Sequence, residues 1–329
     1  MIKKTVFITR QIHKTGIKML KDAGFKVNVY SKDKKICRRS LLEGARKADA
    51  ILSLLTEKID NKVLNINKGK LKIVANYAVG YDNIDLNTAR KNKIIVTNTP
   101  SDKVAEAVAE HAFALMLALA RRLPEADHFA KRGKYKGWSP TLLNGVDLYG
   151  KTLGLIGAGR IGTMLAKRAN LGFNMPILYS DLQINKKLEK NFKAKRVTKE
   201  ELLQKSDFIS LHVPLLPSTW HFISKKELKI MKKSAFLINT ARGPVVDEKE
   251  LLKALTKKQI AGAGLDVFEC EPSIDCDLTD KLELKTFENV ILTPHIASAT
   301  NEAREEMAII AATNIINVLK GKKPISRVA

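Results

Sequence analysis

A chain of 329 residues with 45% hydrophobic content is long for one core and suited to two folded domains. Its 58 Lys and Arg against 34 Asp and Glu give a net charge of +24, yet the basic residues are scattered and aromatic residues amount to only 6%, so nucleic acid is not an expected partner. No apolar run reaches the roughly 20 residues of a bilayer span. MIKKTVFITR does not read as a secretory leader, and Cys37, Cys270 and Cys276 have neither disulfide-framework nor zinc-ligand spacing. A protein of the reducing cytoplasm, without metal and away from membranes, is the expectation.

Along the chain, KTVFIT, KVNVY, ADAILSLL, KIVANYA and KIIVTN read as strands rich in Val and Ile, separated by amphipathic or polar stretches. They make an α/β unit that NTPSDK closes. A helix follows over about 104–122, with Asp102 as its N-cap, apolar on more than one face and so buried in a domain or an interface. RLPEADHFAKRGKYKGWSPTLLNGVDLYG then reads as loop around Trp138. A second series begins at KTLGLIG and continues through PILYSD, DFISLHVP, AFLINTA, AGAGLDV and NVILTPH, with helical stretches such as EKELLKAL between. Alternation of this length implies a doubly wound parallel sheet. A terminal helix covers about 300–319.

GLIGAGRIG sets Gly157, Gly159 and Gly162 in a G-x-G-x-x-G spacing between an apolar strand and a helical stretch. Gly157 permits the tight turn, Gly159 lets backbone approach a pyrophosphate, and Gly162 lets helix and strand pack closely. MLAKRA opens a helix whose N-terminal amide groups would face the phosphates, with Arg160 and Ile161 of the glycine loop among the cofactor-binding residues. An acidic ribose acceptor is expected at the end of the next strand, and Asp181 stands nineteen positions after Gly162. That favours NAD; Lys186 and Lys187 nearby leave NADP open, as does a one-residue slip that would put Ser180 in the place of Asp181.

SLLTEKID (53–60), NYAVGYDNID (76–85), VTNTP (96–100), GLIGAGRIG, INTARGPVVDE (238–248), AGAGLDVFECEP (261–272) and LTPHIASAT (292–300) run through nearly the whole chain. Together they resemble the D-isomer-specific 2-hydroxyacid dehydrogenase family, and within it the glyoxylate/hydroxypyruvate reductases. The resemblance implies two doubly wound parallel-sheet α/β domains: a Rossmann cofactor domain at 101–291 inserted into a smaller flavodoxin-like substrate domain at 1–100 and 292–329. It implies a homodimer formed through the long helix near 103–123, with His111 there as a packing or interface residue. Trp138 would serve as an interface anchor or reach a substrate pocket.

The same resemblance implies a catalytic set of Arg242, Glu271 and His295. Hydride transfer to a ketone leaves charge on the carbonyl oxygen. An imidazole can supply the proton near neutral pH, a carboxylate beside it favours its protonated form, and a guanidinium can grip a carboxylate while polarising the ketone. For the substrate it implies Leu54 and the backbone at Val79 and Gly80 beside Arg242. For the cofactor, besides the glycine loop and Asp181, it implies His212, Val213, Pro214 and Thr219 at the adenine end, Thr240 and Ala241 along the nicotinamide, and Asp266 at its carboxamide. The implied reaction reduces a small 2-oxo acid, glyoxylate or hydroxypyruvate first, to a D-2-hydroxy acid. D-3-phosphoglycerate or D-lactate dehydrogenase is an alternative, as is an NAD-sensing protein like the co-repressors of this fold.

Overall fold

The computed structural model of the protein describes residues 3–271 and 283–329. They form two compact units, one of residues 3–104 with Ala299–Ala329, the other of Ala105–Glu271 with residues 283–298. The turn TPHIAS belongs by its contacts to the second unit, so the chain crosses back after Ser298, a few residues later than the position 292 read from the sequence.

In the first unit, β1 (Thr5–Ile8), β2 (Lys26–Val29), β3 (Ala50–Ser53), β4 (Ile73–Asn76) and β5 (Ile95–Thr97) form a parallel sheet in the order β2-β1-β3-β4-β5. This is the flavodoxin-like winding. AILS and IVAN are buried on both faces because helices cover them. The terminal helix Asn301–Leu319 belongs to this unit and packs on Lys14–Asp22, where a Cβ on Gly16 would lie 2.8 Å from the Ala308 carbonyl oxygen. The chain end returns to β5: Val96 N–H donates to Ala329 O at 2.8 Å.

In the second unit, β6 (Leu153–Ile156), β7 (Ile177–Ser180), β8 (Lys195–Arg196), β9 (Phe208–Leu211), β10 (Phe236–Asn239), β11 (Gly262–Leu265) and β12 (Val290–Leu292) are all parallel, in the order β12-β11-β10-β9-β6-β7-β8. Winding reverses between β6 and β9, which opens a crevice at their carboxyl ends. LGLI, FISL, FLIN and GAGL are fully buried. A Cβ on Gly264 would sit 3.2 Å from Leu115 Cβ, so glycine lets the long helix lie close on β11.

Three local readings change. The long helix is Asp102–Ala120, and its cap is Ser101, whose Oγ accepts Val104 N–H at 3.1 Å, while Asp102 is its first residue. The stretch expected to be loop holds a helix, Leu123–Lys131, started by Pro124 in its first turn, where a missing N–H costs nothing. Cys270 is disulfide-bonded, so the expectation of reduced thiols fails there; Cys37 is free, and Cys276 lies outside the described residues. No helix among the described residues is long and apolar enough to cross a membrane.

Candidate active site

The candidate site residues of the second unit lie at the carboxyl ends of adjacent strands. After β6 the chain turns at Gly157, whose φ of 94° suits glycine and whose Cβ would lie 2.6 Å from the His212 carbonyl oxygen. Gly162 is equally confined, a Cβ there meeting Gly157 O at 2.4 Å. Gly159 is the opposite case: nothing lies within 4 Å of its Cβ position, and it caps the helix Arg160–Phe173 without a side-chain bond. Backbone open to a ligand therefore stands at a bare helix N-terminus, begun by Arg160 and Ile161, which is the arrangement that binds phosphates.

Asp181, directly after β7, reaches into this loop. Its Oδ2 accepts Ala158 N–H at 2.7 Å, and its Oδ1 accepts Gln183 N–H at 3.1 Å. Ser180 is the last residue of the strand, paired with Ile156, so the carboxylate rather than the hydroxyl meets the glycine turn. Arg196 donates to the carbonyls of Asp181 and Leu182, at 2.9 and 3.1 Å through Nη2. That guanidinium comes from the end of β8, a strand of two residues that left little trace in the sequence.

His212 follows β9 and lies under the glycine turn. Burial pushes its pKa down to about 3, so the ring is neutral, with Nε2 3.0 Å from Ser210 Oγ. Val213 packs beside Gly157, and Pro214 is tied by its carbonyl to the Thr219 hydroxyl at 2.6 Å. Thr219 also accepts Leu216 N–H at 2.8 Å, so it shapes this loop as a clamp. Two buried polar atoms here have no partner among the described residues, His212 Nδ1 and Thr240 Oγ1. With the open Gly159 they fit a dinucleotide.

Arg242 follows β10 in the TARG turn. Asn239 organises that turn: its Oδ1 accepts Ala241 N–H at 3.0 Å and its Nδ2 donates to Arg242 O at 2.9 Å. Arg242 Nη1 in turn donates to Ala241 O at 2.8 Å. A Cβ on Gly243 would fall 1.9 Å from the Phe268 backbone, so the turn bearing Arg242 and the turn after β11 touch backbone to backbone. Glu271 ends the second of these. Its Oε2 lies 2.7 Å from His295 Nδ1, both side chains about one-quarter exposed. A carboxylate only accepts, so Nδ1 carries the hydrogen and Nε2 is left as the exchanging nitrogen.

His295 stands in the left-handed region, φ 55°, on the turn after β12. Asp266 holds that turn: its oxygens accept Ile296 N–H at 2.9 Å, Ala297 N–H at 2.8 Å and the Thr293 hydroxyl at 2.6 Å. His111 Nε2 lies 2.9 Å from the same hydroxyl and 3.4 Å from Asp266. Burial would raise the Asp266 pKa, but these donors keep it below the usual carboxylate value. Asp266 is expected at the nicotinamide carboxamide and His111 as a packing or interface residue; here Asp266 is wholly buried with both oxygens bonded within the protein, and His111 is its polar neighbour. Neither link was visible in the sequence, because the partners lie on different elements. Leu54, Val79 and Gly80 lie on loops of the first unit.

Residues 113–297 match the model of the D-isomer specific 2-hydroxyacid dehydrogenase NAD binding domain. The chain belongs to that family. It is 50% identical to a glyoxylate reductase of Thermococcus litoralis over 327 residues, 98% of this chain and 96% of the relative. Among solved structures it resembles the TT0316 protein of Thermus thermophilus, with a TM-score of 0.91, 38% identity, and 99% and 100% of the two chains covered. It also resembles a D-lactate dehydrogenase of Aquifex aeolicus solved with NAD and lactic acid, with a TM-score of 0.83, 32% identity, and 97% and 96% covered. The chain is an NAD(P)-dependent oxidoreductase of the 2-hydroxyacid class.

Proposed function

We propose that the chain reduces glyoxylate, and hydroxypyruvate beside it, to the D-2-hydroxy acid. The carrying observation is the 2.7 Å pair of His295 and Glu271 on neighbouring strand ends, with the Arg242 turn packed against the Glu271 turn. Relatives named glyoxylate reductase at about half identity over the whole length support the choice of acid.

NADH supplies the hydride when bound. The chain's own residues do the rest. His295 gives its Nε2 proton to the oxygen that gains charge, and takes it back in the reverse direction. Glu271 holds the ring by Nδ1, which fixes the tautomer. Arg242 offers paired donors to the 2-oxo acid carboxylate and polarises the ketone. Gly157, Gly159 and Gly162 with Arg160 and Ile161 receive the pyrophosphate, Asp181 the ribose, His212 to Pro214 the adenine end, and Thr240 with Ala241 the nicotinamide side. The backbone at Val79 and Gly80, beside Leu54, receives the substrate carboxylate.

The reading extends to a homodimer. Trp138 is 83% exposed, and Leu123, Tyr135 and Tyr149, on the stretch that follows the long helix, are exposed too, which supports that reading.

A panel of glyoxylate, hydroxypyruvate, pyruvate and 3-phosphohydroxypyruvate, each with NADH and NADPH, tests the substrate. Glyoxylate is expected to give the highest kcat/KM; no oxidation of either cofactor with any acid would leave a binding protein. His295→Asn should lower turnover by about 10²-fold or more with NADH affinity kept. A parallel loss of NADH binding would contradict the proton-transfer role.

A further inference from the structure

The loop after β4 in the first unit has its peptide planes set from below. In a trans peptide the C=O and N–H point in opposite directions, so whatever holds the carbonyl aims the next amide. Ala78 O accepts Thr99 N–H at 2.9 Å, which turns the Val79 N–H outward. Val79 O accepts Asn98 Nδ2 at 2.8 Å, which does the same for Gly80 N–H. Gly80 O accepts Asn76 Nδ2 at 2.8 Å. Three consecutive carbonyls are thus engaged, while the Val79 and Gly80 N–H groups have no protein partner among the described residues.

A second strut joins this loop to the one that carries Leu54. Asn83 Nδ2 donates to Leu54 O and to Glu57 O, both at 3.0 Å, and Asn76 Nδ2 lies 3.0 Å from Asn83 Oδ1. Asn76 is fully buried, and Ser53 on β3 donates to its Oδ1 at 3.0 Å. A buried carboxamide needs partners, and that of Asn76, with the half-buried Asn83, takes backbone carbonyls of the two loops that the proposed function gives to the substrate.

We infer that Asn98 is a positioning residue for 2-oxo acid recognition, its carboxamide holding the Val79 carbonyl so that the Gly80 N–H faces the substrate carboxylate, with Asn76 and Asn83 tying the same loop to Leu54. The inference rests on the proposed reading of Val79 and Gly80 as the carboxylate site. Asn98 is the residue to test because its side chain is partly exposed and its backbone is held separately, Asn98 O accepting the Ser326 hydroxyl at 2.6 Å.

Asn98→Asp keeps the shape but sets a carboxylate against the Val79 carbonyl. KM for glyoxylate should rise about tenfold or more, with kcat within a factor of about three and NADH affinity by fluorescence unchanged. A purely structural role would lower the melting temperature and leave KM alone, and that result overturns the proposal. So does an NADH affinity that falls along with KM. Asn98→Ala, which removes the donor without adding charge, is read in the same way if the aspartate variant does not fold. Titration of oxamate onto the NADH complex separates the two readings. If wild type reduces no 2-oxo acid, the functional reading fails, while oxamate binding weakened about tenfold in the variant still supports the loop assignment, and binding that is equal or absent in both proteins refutes it.

Discussion

Glu271 and His295 are 24 residues apart in the chain and 2.7 Å apart in space, because β11 and β12 are neighbours and each delivers one of them at its carboxyl end. The pair is charge-assisted whenever the ring is protonated. Glu271→Gln keeps the size and removes the charge, so turnover with glyoxylate should fall at least about tenfold, while NADH binds as before. Steady-state rates beside a fluorescence titration read both; unchanged turnover would remove Glu271 from the mechanism.

Asp266 is the keystone of the turn under His295. Asp266→Asn offers one acceptor where three donors besides His111 now converge, and should cost about 1–3 kcal/mol of stability together with activity. The carboxylate titrates below its usual value, so its contribution is present above the unfolded carboxyl pKa and is lost as pH falls through the lower, folded one. Melting curves of wild type and variant should therefore differ near neutrality and converge in acid.

Glu248, first residue of the helix Glu248–Thr256, behaves in the opposite sense. Burial, with Glu269 and Glu271 close by, raises its pKa from 4.5 to about 7 although it accepts the Glu269 amide. Across that window the folded chain keeps a proton that the unfolded chain has released, so stability declines as pH climbs from about 5 to 8. A full shift of this size corresponds to about 3 kcal/mol, and the part of the group open to water reduces it to about 1 kcal/mol. Glu248→Gln should flatten the slope of melting temperature against pH over this range; an unaltered slope would show that another group carries it.

Gly162→Ala forces a methyl to 2.4 Å from the Gly157 carbonyl, so the glycine turn must move. NADH affinity should drop about tenfold or more, since the amides at the helix start no longer converge. Isothermal titration decides it, and full-strength binding would mean that the turn is not where the pyrophosphate sits.

Much of this was legible in the sequence for physical reasons. The glycine spacing in GLIGAGRIG announces itself because Gly157 takes a positive φ and neither Gly157 nor Gly162 has room for a Cβ, and strands buried on both faces write continuous apolar runs such as FLIN. What stayed hidden depends on partners brought together by folding. The helix Leu123–Lys131 lacks a buried face, so its proline and charges resembled a loop. NTPSDK reads as a boundary, and nothing in it says that the Asn98 amide will meet Val79. His111 and Asp266 are on elements far apart in sequence, and only the placement of the long helix over β11 joins them.

The left-handed backbone of His295 bears on how this position can change. Side chains with a branched Cβ are strongly disfavoured at such φ values, at roughly 1–3 kcal/mol for a held outlier, whereas asparagine and glycine tolerate them. A saturation library at this codon would thus be sieved first by main-chain geometry and only then by proton chemistry. Survivors enriched in Asn and Gly would record the shape of the turn, and a dead Val or Ile variant would be no measure of what an imidazole does.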